Sequence, residues 1–233
     1  MKQLLNDFVA LFYPEVCLCC GESLAMQEEF VCTMCVFKLP RTNYHKLQEN
    51  PIQKVFWGRV EVDNVSAFCH YQKGNTTQDL VHEMKYKDKK ELGTSLGKWY
   101  GTDLKDSNFA KAEVIIPVPL HPRKLRRRGY NQSQYFAEGL SDILKIPVMA
   151  DGLIRVKDTE TQTRKSRFSR WENVEGIFNV NKPDELKGKH VLLVDDIITT
   201  GSTVEACVME LRKADIAAVS VVAIGCADTI GAI

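Results

Sequence analysis

The 233-residue sequence predicts an α/β protein built on a parallel sheet with helices on both faces, preceded by a small N-terminal module organised by four cysteines. Two patterns carry this expectation. From Val60 onward, short apolar segments with strand character alternate with amphipathic helical segments, the order that builds a parallel sheet. Before them, Cys17, Cys20, Cys32 and Cys35 follow the spacing C-x2-C-x11-C-x2-C, and each pair can fold into a knuckle whose thiolates face one tetrahedral zinc ion. With 44% apolar and 26% charged residues, the composition is globular and excludes a disordered or fibrous chain.

At the N-terminus, Leu4, Leu5, Phe8, Val9, Leu11 and Phe12 recur at helical spacing and predict a helix that docks on the body. Asp7 interrupts the apolar run and no small-residue cleavage site follows, so the segment does not read as a secretory signal. No later stretch approaches the ~18 apolar residues of a membrane span. A cytoplasmic protein without membrane insertion is expected, a setting that disfavours disulfides. A redox C-x2-C pair would not need a second pair nearby, which leaves a closed, structural four-thiolate zinc site. Cys19 can replace Cys17 or Cys20, but only the 17/20 choice gives both pairs equal spacing. Cys69, Cys207 and Cys226 lie in apolar segments and read as core.

The module is expected to end near Pro40, and the polar stretch Arg41 to Gln53 reads as a linker or an irregular cap. Strands are expected at Val60–Tyr71, Glu113–Val118, Pro147–Val156, Gly176–Val180, His190–Val194 and Ala218–Ile224. Helices are expected at Thr77–Tyr86, Glu91–Tyr100, Asn131–Lys145 and Thr203–Ala214, with Leu80, Met84, Leu92, Leu96, Trp99, Phe136, Leu140, Ile143 and Leu144 inward.

The segment Val191-Leu192-Leu193-Val194-Asp195-Asp196-Ile197-Ile198-Thr199-Thr200-Gly201-Ser202-Thr203 runs from a buried strand through a loop into a helix. Strand C-termini of open parallel sheets are where ligands bind. Hydroxyls at Thr199, Thr200, Ser202 and Thr203 surround Gly201, and free N–H groups at the helix start can cradle a phosphate. Asp195 and Asp196 supply acceptors and negative charge suited to a sugar diol or a magnesium ion. A strand, a turn and a capped helix with two surface acids would account for each element singly, though less well for the whole string. A dehalogenase-type phosphatase would need an acidic nucleophile two residues from a second acid, and a Walker-type NTPase a lysine after the glycine; neither is present.

Net charge is +1, yet from Arg123 to Trp171 there are twelve basic and five acidic residues. That imbalance points to a local anion site. Five cations fall within Arg123-Lys124-Leu125-Arg126-Arg127-Arg128, directly after the expected strand ending Pro117-Val118-Pro119-Leu120-His121-Pro122. Charge alone would favour a solvated patch or a nucleic-acid contact, but the position is on the same rim as Asp195. A second loop, Arg155 to Phe178, holds Thr161, Gln162, Thr163, Arg164, Lys165, Arg167, Arg170 and Asn173 and is long enough to be a lid, or else a surface hairpin.

The Asp195–Thr203 string resembles the loop of type I phosphoribosyltransferases that binds phosphoribosyl pyrophosphate (PRPP). With the four-cysteine ribbon, the Arg-Gly-Tyr-Asn-Gln stretch at 128–132 and the Thr-Gln-Thr loop, the sequence closely resembles the ComF family over nearly its whole length. The resemblance implies a type I phosphoribosyltransferase fold over 60–233, after a linker or cap at 41–59 and a helix and zinc ribbon at 1–40. It implies that Asp195 and Asp196 contact the ribose hydroxyls, that Thr199, Thr200, Gly201, Ser202 and Thr203 bind the 5′-phosphate, and that magnesium accompanies PRPP. The loop with His121, Arg123 and Lys124 would hold the pyrophosphate. Arg167 and Arg170 would join the two acids in catalysis by closing over the charged intermediate. Family members are described as competence-associated proteins linked to uptake of transforming DNA. The amidophosphoribosyltransferase label often attached to them is not expected to apply: the chain begins Met1-Lys2, without an N-terminal cysteine nucleophile or room for a glutaminase domain. Two functions follow. One is phosphoribosyl transfer to an unknown acceptor, with no catalytic base evident. The other is a non-catalytic, PRPP-responsive module in which Arg123–Arg128 and the ribbon contact single-stranded DNA or competence proteins. Lys85-Tyr86, between two expected helices, reads equally as an exposed loop and is left out of the site.

Overall fold

The computed structural model describes residues 14–156 and 176–227. The expected docking helix, and the loop residues Thr161, Gln162, Thr163, Arg164, Lys165, Arg167, Arg170 and Asn173, lie outside the described residues. In chain order the elements are α1 (Thr33–Phe37), α2 (Pro51–Lys54), β1 (Asn64–Tyr71), α3 (Thr76–Tyr86), α4 (Glu91–Leu104), β2 (Val114–Pro117), α5 (Pro122–Arg128) and α6 (Gln132–Leu144). They continue with β3 (Leu153–Arg155), β4 (Phe178–Val180), α7 (Pro183–Leu186), β5 (His190–Ile198), α8 (Ser202–Arg212) and β6 (Ala218–Ala227).

Four strands form a parallel sheet in the order β1-β6-β5-β2. β5 from Val191 to Val194 and β6 from Val221 to Ile224 are unbroken apolar runs because both faces are covered. Alternate residues divide between two cores: Val191, Leu193, Val219 and Val221 pack with α8, and Leu192, Val194, Val222 and Ile224 with α3, α4 and α6. The expected strand Pro147–Val156 is two things. Val148 makes a parallel bridge to Ile115 beside β2, and after a turn at 150–152 the chain leaves the sheet as β3, which pairs antiparallel with β4. β5 outruns its expected end at Val194 and carries both acids within the strand. The run after His121, expected as a loop, is the helix α5. Lys85 lies within α3, not between helices.

α4 crosses α6 on a glycine stripe. Gly93, Gly97 and Gly101, spaced four apart, face Tyr135, Phe136 and Ile143, and Gly139 meets Gly97 from the other side. A methyl group at Gly97 would run into the Phe136 carbonyl oxygen and lie 2.9 Å from Gly139 Cα, both backbone that side-chain rotation cannot relieve.

The segment before β1 covers the edge of the sheet. Thr42 N donates to Phe68 O at 3.0 Å and His70 N to Pro40 O at 2.8 Å. Asn50, buried, donates from Nδ2 to Val65 O at 2.8 Å while its Oδ1 caps α2. Backbone groups of an edge strand are thereby satisfied rather than offered to another chain. Arg41 stacks over Phe68 and pairs with Asp103 at 2.9 Å, tying this cover to α4. Cys17, Val31 and Leu39 of the cysteine module join the same apolar core as Phe68, Leu104 and Leu140.

Gly97→Ala, despite the better helix propensity of alanine, is expected to destabilise the protein by about 2–3 kcal/mol in urea unfolding, because the added methyl meets backbone. The exposed control Lys98→Ala is expected to change stability by less than about 0.5 kcal/mol.

Candidate functional site

Asp195 and Asp196 sit at the C-terminal end of β5, a central strand of the sheet. Asp195 is buried; its Oδ1 accepts from Asp196 N at 2.8 Å and from Ser133 Oγ at 3.4 Å. Burial, with the adjoining Asp196 charge, pushes the Asp195 carboxyl up from 3.8 to about 7. Asp196 is partly exposed, accepts from Ile197 N at 2.6 Å, and meets Lys85 Nζ at 2.7 Å through Oδ2. Lys85, set aside on sequence grounds, is therefore part of the site.

Beyond the acids the chain turns at Gly201, whose φ of +74° favours glycine, and enters the eleven-residue helix α8. Thr199, Thr200, Ser202 and Thr203 are exposed around this buried glycine, and Thr200 Oγ1 lies 3.1 Å from Ser202 Oγ. The loop is braced from the N-terminal segment. Arg59 Nη1 donates to Thr200 O at 2.9 Å and Val55 O at 3.2 Å, and Nη2 pairs with Glu205. Phe56 closes against Gly201, leaving no space for a side chain there. Hydroxyls, backbone N–H groups and the helix dipole thus face one point suited to a phosphate.

The basic run reaches the same rim. Val118 N donates to Val194 O at 2.8 Å, so the end of β2 lies beside the acids. His121 is the N-cap of α5, accepting from Arg123 N at 3.2 Å through Nδ1, and Arg123 and Lys124 are exposed. Asn131 closes the excursion by donating to Val118 O at 3.0 Å and capping α6, which places Ser133 against Asp195. The predicted ribose, phosphate and pyrophosphate residues that fall among the described residues therefore stand on one edge of the sheet. Sequence reading missed Lys85, Ser133, Arg59 and Phe56. Arg59 had no local signal, since Thr200 is 141 positions away.

Separately, the ligand atoms of Cys17, Cys20, Cys32 and Cys35 all lie within 4.8 Å of one another. Cys20 Sγ and Cys32 Sγ are 3.8 Å apart, the edge of a tetrahedron with about 2.3 Å zinc–sulfur bonds. Backbone N–H groups of Cys19 and Cys32 donate to Cys17 Sγ at 3.4 and 3.3 Å. The set includes Cys17 and Cys20 and leaves Cys19 outside. This four-cysteine cluster can hold a zinc ion.

Because the folded Asp195 carboxyl has a raised pKa, the native state holds its proton more tightly than the unfolded chain. Stability at this group is full below about pH 4, falls as pH rises toward about 7, and is level above. Asp195→Asn removes the burdened charge, so its Tm is expected to exceed the wild-type value by a few degrees at pH 8, with the difference closing near pH 4, in calorimetric scans across pH. A constant difference at all pH values would contradict the raised pKa.

The phosphoribosyl transferase domain family matches residues 131–227, the stretch from the cap of α6 through the acids and the glycine turn to β6. The DNA utilization protein YhgH of Escherichia coli (strain K12) is 27% identical over 228 residues, covering 91% of this chain and 96% of the relative. Competence protein F of Haemophilus influenzae is 42% identical over 102 residues, 43% of this chain and 44% of the relative. Among solved structures, the glutamine PRPP amidotransferase of B. subtilis, complexed with ADP and GMP, is 26% identical with a TM-score of 0.42, over 58% of this chain and 26% of that one. The chain is a homologue of these competence and DNA utilization proteins and carries a phosphoribosyl transferase domain over residues 131–227.

Proposed function

We propose that the chain binds PRPP with a divalent cation on the Asp195–Thr203 edge and transfers its phosphoribosyl group to an acceptor, in the service of DNA uptake or use. The observation that carries this is the pair of adjacent acids at the end of β5 leading into a hydroxyl-lined glycine turn at the start of α8. Asp195 and Asp196 are proposed to bind the ribose diol. Thr199, Thr200, Gly201, Ser202 and Thr203 take the 5′-phosphate, held in shape by Arg59 and Phe56. His121, Arg123 and Lys124 lie on the side where pyrophosphate would leave. Arg167 and Arg170 are proposed to close over the site.

The donors fit magnesium: they are carboxylate and hydroxyl oxygens, the hard ligands that ion prefers. When bound, it would neutralise charge on the departing pyrophosphate. The chain's own residues orient the sugar, keep its C1 in line with the leaving group and supply positive charge around it. The cysteine cluster is proposed to hold a structural zinc, closed to substrate by its four thiolates.

A second reading, a PRPP-responsive DNA-binding module, is favoured by α5, in which Arg123, Lys124, Arg126 and Arg127 are exposed on one short helix.

Calorimetry with PRPP and magnesium is expected to show binding by the wild type and at least a tenfold loss, about 1.4 kcal/mol, in the Asp195→Asn, Asp196→Asn double variant. Pyrophosphate release with a candidate acceptor would establish transfer. A folded wild type that does not bind PRPP would overturn the reading, and independent binding of PRPP and single-stranded DNA would argue against one shared anion site. Purified protein is expected to carry one zinc per chain by elemental analysis, with Cys32→Ser falling toward zero; a native fold with no zinc would overturn that assignment.

A further inference from the structure

The acid pair already has a cation. Lys85 Nζ lies 2.7 Å from Asp196 Oδ2, and the two side chains are only 19% and 18% exposed. Attraction between charges in so enclosed a place is several times stronger than at a free surface. Lys85 is also held from behind. It is in the last turn of α3, next to Met84, which is fully buried and whose carbonyl accepts from the Tyr130 hydroxyl. Its neighbour Tyr86 lies under the Arg128 guanidinium, which in turn donates to Gln132 Oε1 at 3.0 Å. The end of α3 is thus anchored to the start of α6, the helix whose Ser133 touches Asp195.

We propose that Lys85 is a built-in counter-cation that keeps a free divalent metal ion off the acid pair, so that the metal enters together with a pyrophosphate-bearing ligand and not before it. The inference rests on the reading of residues 195–203 as a PRPP site and adds an order of binding to it. A metal ion approaching alone must displace an ammonium from Asp196 and leave it half-buried without a partner, which is unfavourable. It also meets a carboxylate whose charge is already balanced, so little attraction remains. A ligand bearing pyrophosphate changes both terms. Its oxygens give the ammonium a new charge-assisted partner as it leaves Asp196, and its own charge draws the metal in. Lys85 then lies on the ligand as a positioning residue, and Asp196 is free for the metal or the ribose.

The test is manganese binding to the full chain, followed by the electron paramagnetic resonance signal of the free ion, for wild type, Lys85→Met and Lys85→Arg, with and without inorganic pyrophosphate. Without pyrophosphate, Lys85→Met is expected to bind manganese about tenfold more tightly than wild type, since one opposing charge at contact distance is gone. Lys85→Arg keeps the charge and is expected to follow wild type. With pyrophosphate present, wild type is expected to gain manganese affinity and to exceed Lys85→Met. Equal manganese affinities in wild type and Lys85→Met would overturn the inference, as would a wild type whose manganese binding pyrophosphate does not improve. Lys85→Gln provides a second neutral side chain should Lys85→Met not fold, with matching melting curves as the check. Failure of PRPP to bind would remove the proposed function while leaving the manganese comparison readable; PRPP binding with unchanged manganese affinity would overturn the Lys85 role alone.

Discussion

Two carboxylates on consecutive residues, one of them buried, repel each other, and much of the surrounding structure answers that repulsion. Asp195 takes a backbone N–H and approaches the Ser133 hydroxyl, and Asp196 takes a backbone N–H and an ammonium. The two side-chain partners come from different elements, so the acid pair brings α3 and the start of α6 to the same stretch of β5. The glycine stripe packs α4 closely on α6, the helix whose start carries Ser133 to Asp195. A site that concentrates like charge is costly in a free protein and useful to a ligand that brings the opposite charge.

The string from β5 into α8 could be read from the sequence because its parts are contiguous: strand, acids, hydroxyls and glycine follow one another within Val191–Thr203. The four-cysteine cluster was legible for the same reason, through a spacing that repeats. What lay hidden was non-local or contradicted by a local rule. Arg59 and Phe56 reach the glycine turn from the segment before β1, and nothing near either residue in sequence announces it. β5 runs on through two aspartates, residues depleted in strands, because the neighbouring β6 continues to pair with it. The cationic run hid α5, although Pro122 at its first position and Gly129 at its end, with φ of +81°, are the signals that start and stop a helix. The stretch after Pro147 reads as one strand because its apolar content does not reveal the turn at 150–152. The glycine stripe of α4 was visible as spacing, but glycine in a helix reads first as weakness and only the packing turns it into a contact.

Residues 40–59, polar and irregular, look like a connector and act as a fastening. They cover the outer edge of β1 at Pro40, Thr42 and Asn50, then cross to the other face, where Arg59 and Phe56 hold the turn between β5 and α8. The shape of the Thr199–Thr203 turn thus depends on a segment that follows directly on the cysteine cluster. Loss of order in that cluster would reach the loop through about twenty residues of chain, with no ligand in common.

The strand order β1-β6-β5-β2 has a bearing on how the chain comes into being. Asn64 of β1 lies beside Ser220 of β6, 156 positions later. A ribosome synthesising this chain releases β1 long before its parallel neighbour β6 exists, and at about 5–20 residues per second the interval is many seconds. The segment 40–50 is already made when β1 emerges, and its bonds to Phe68, His70 and Val65 can form at once. The same cover that seals the edge of the finished sheet can therefore serve earlier as a chaperone carried in the chain itself, sheltering an apolar strand until the sheet arrives to receive it.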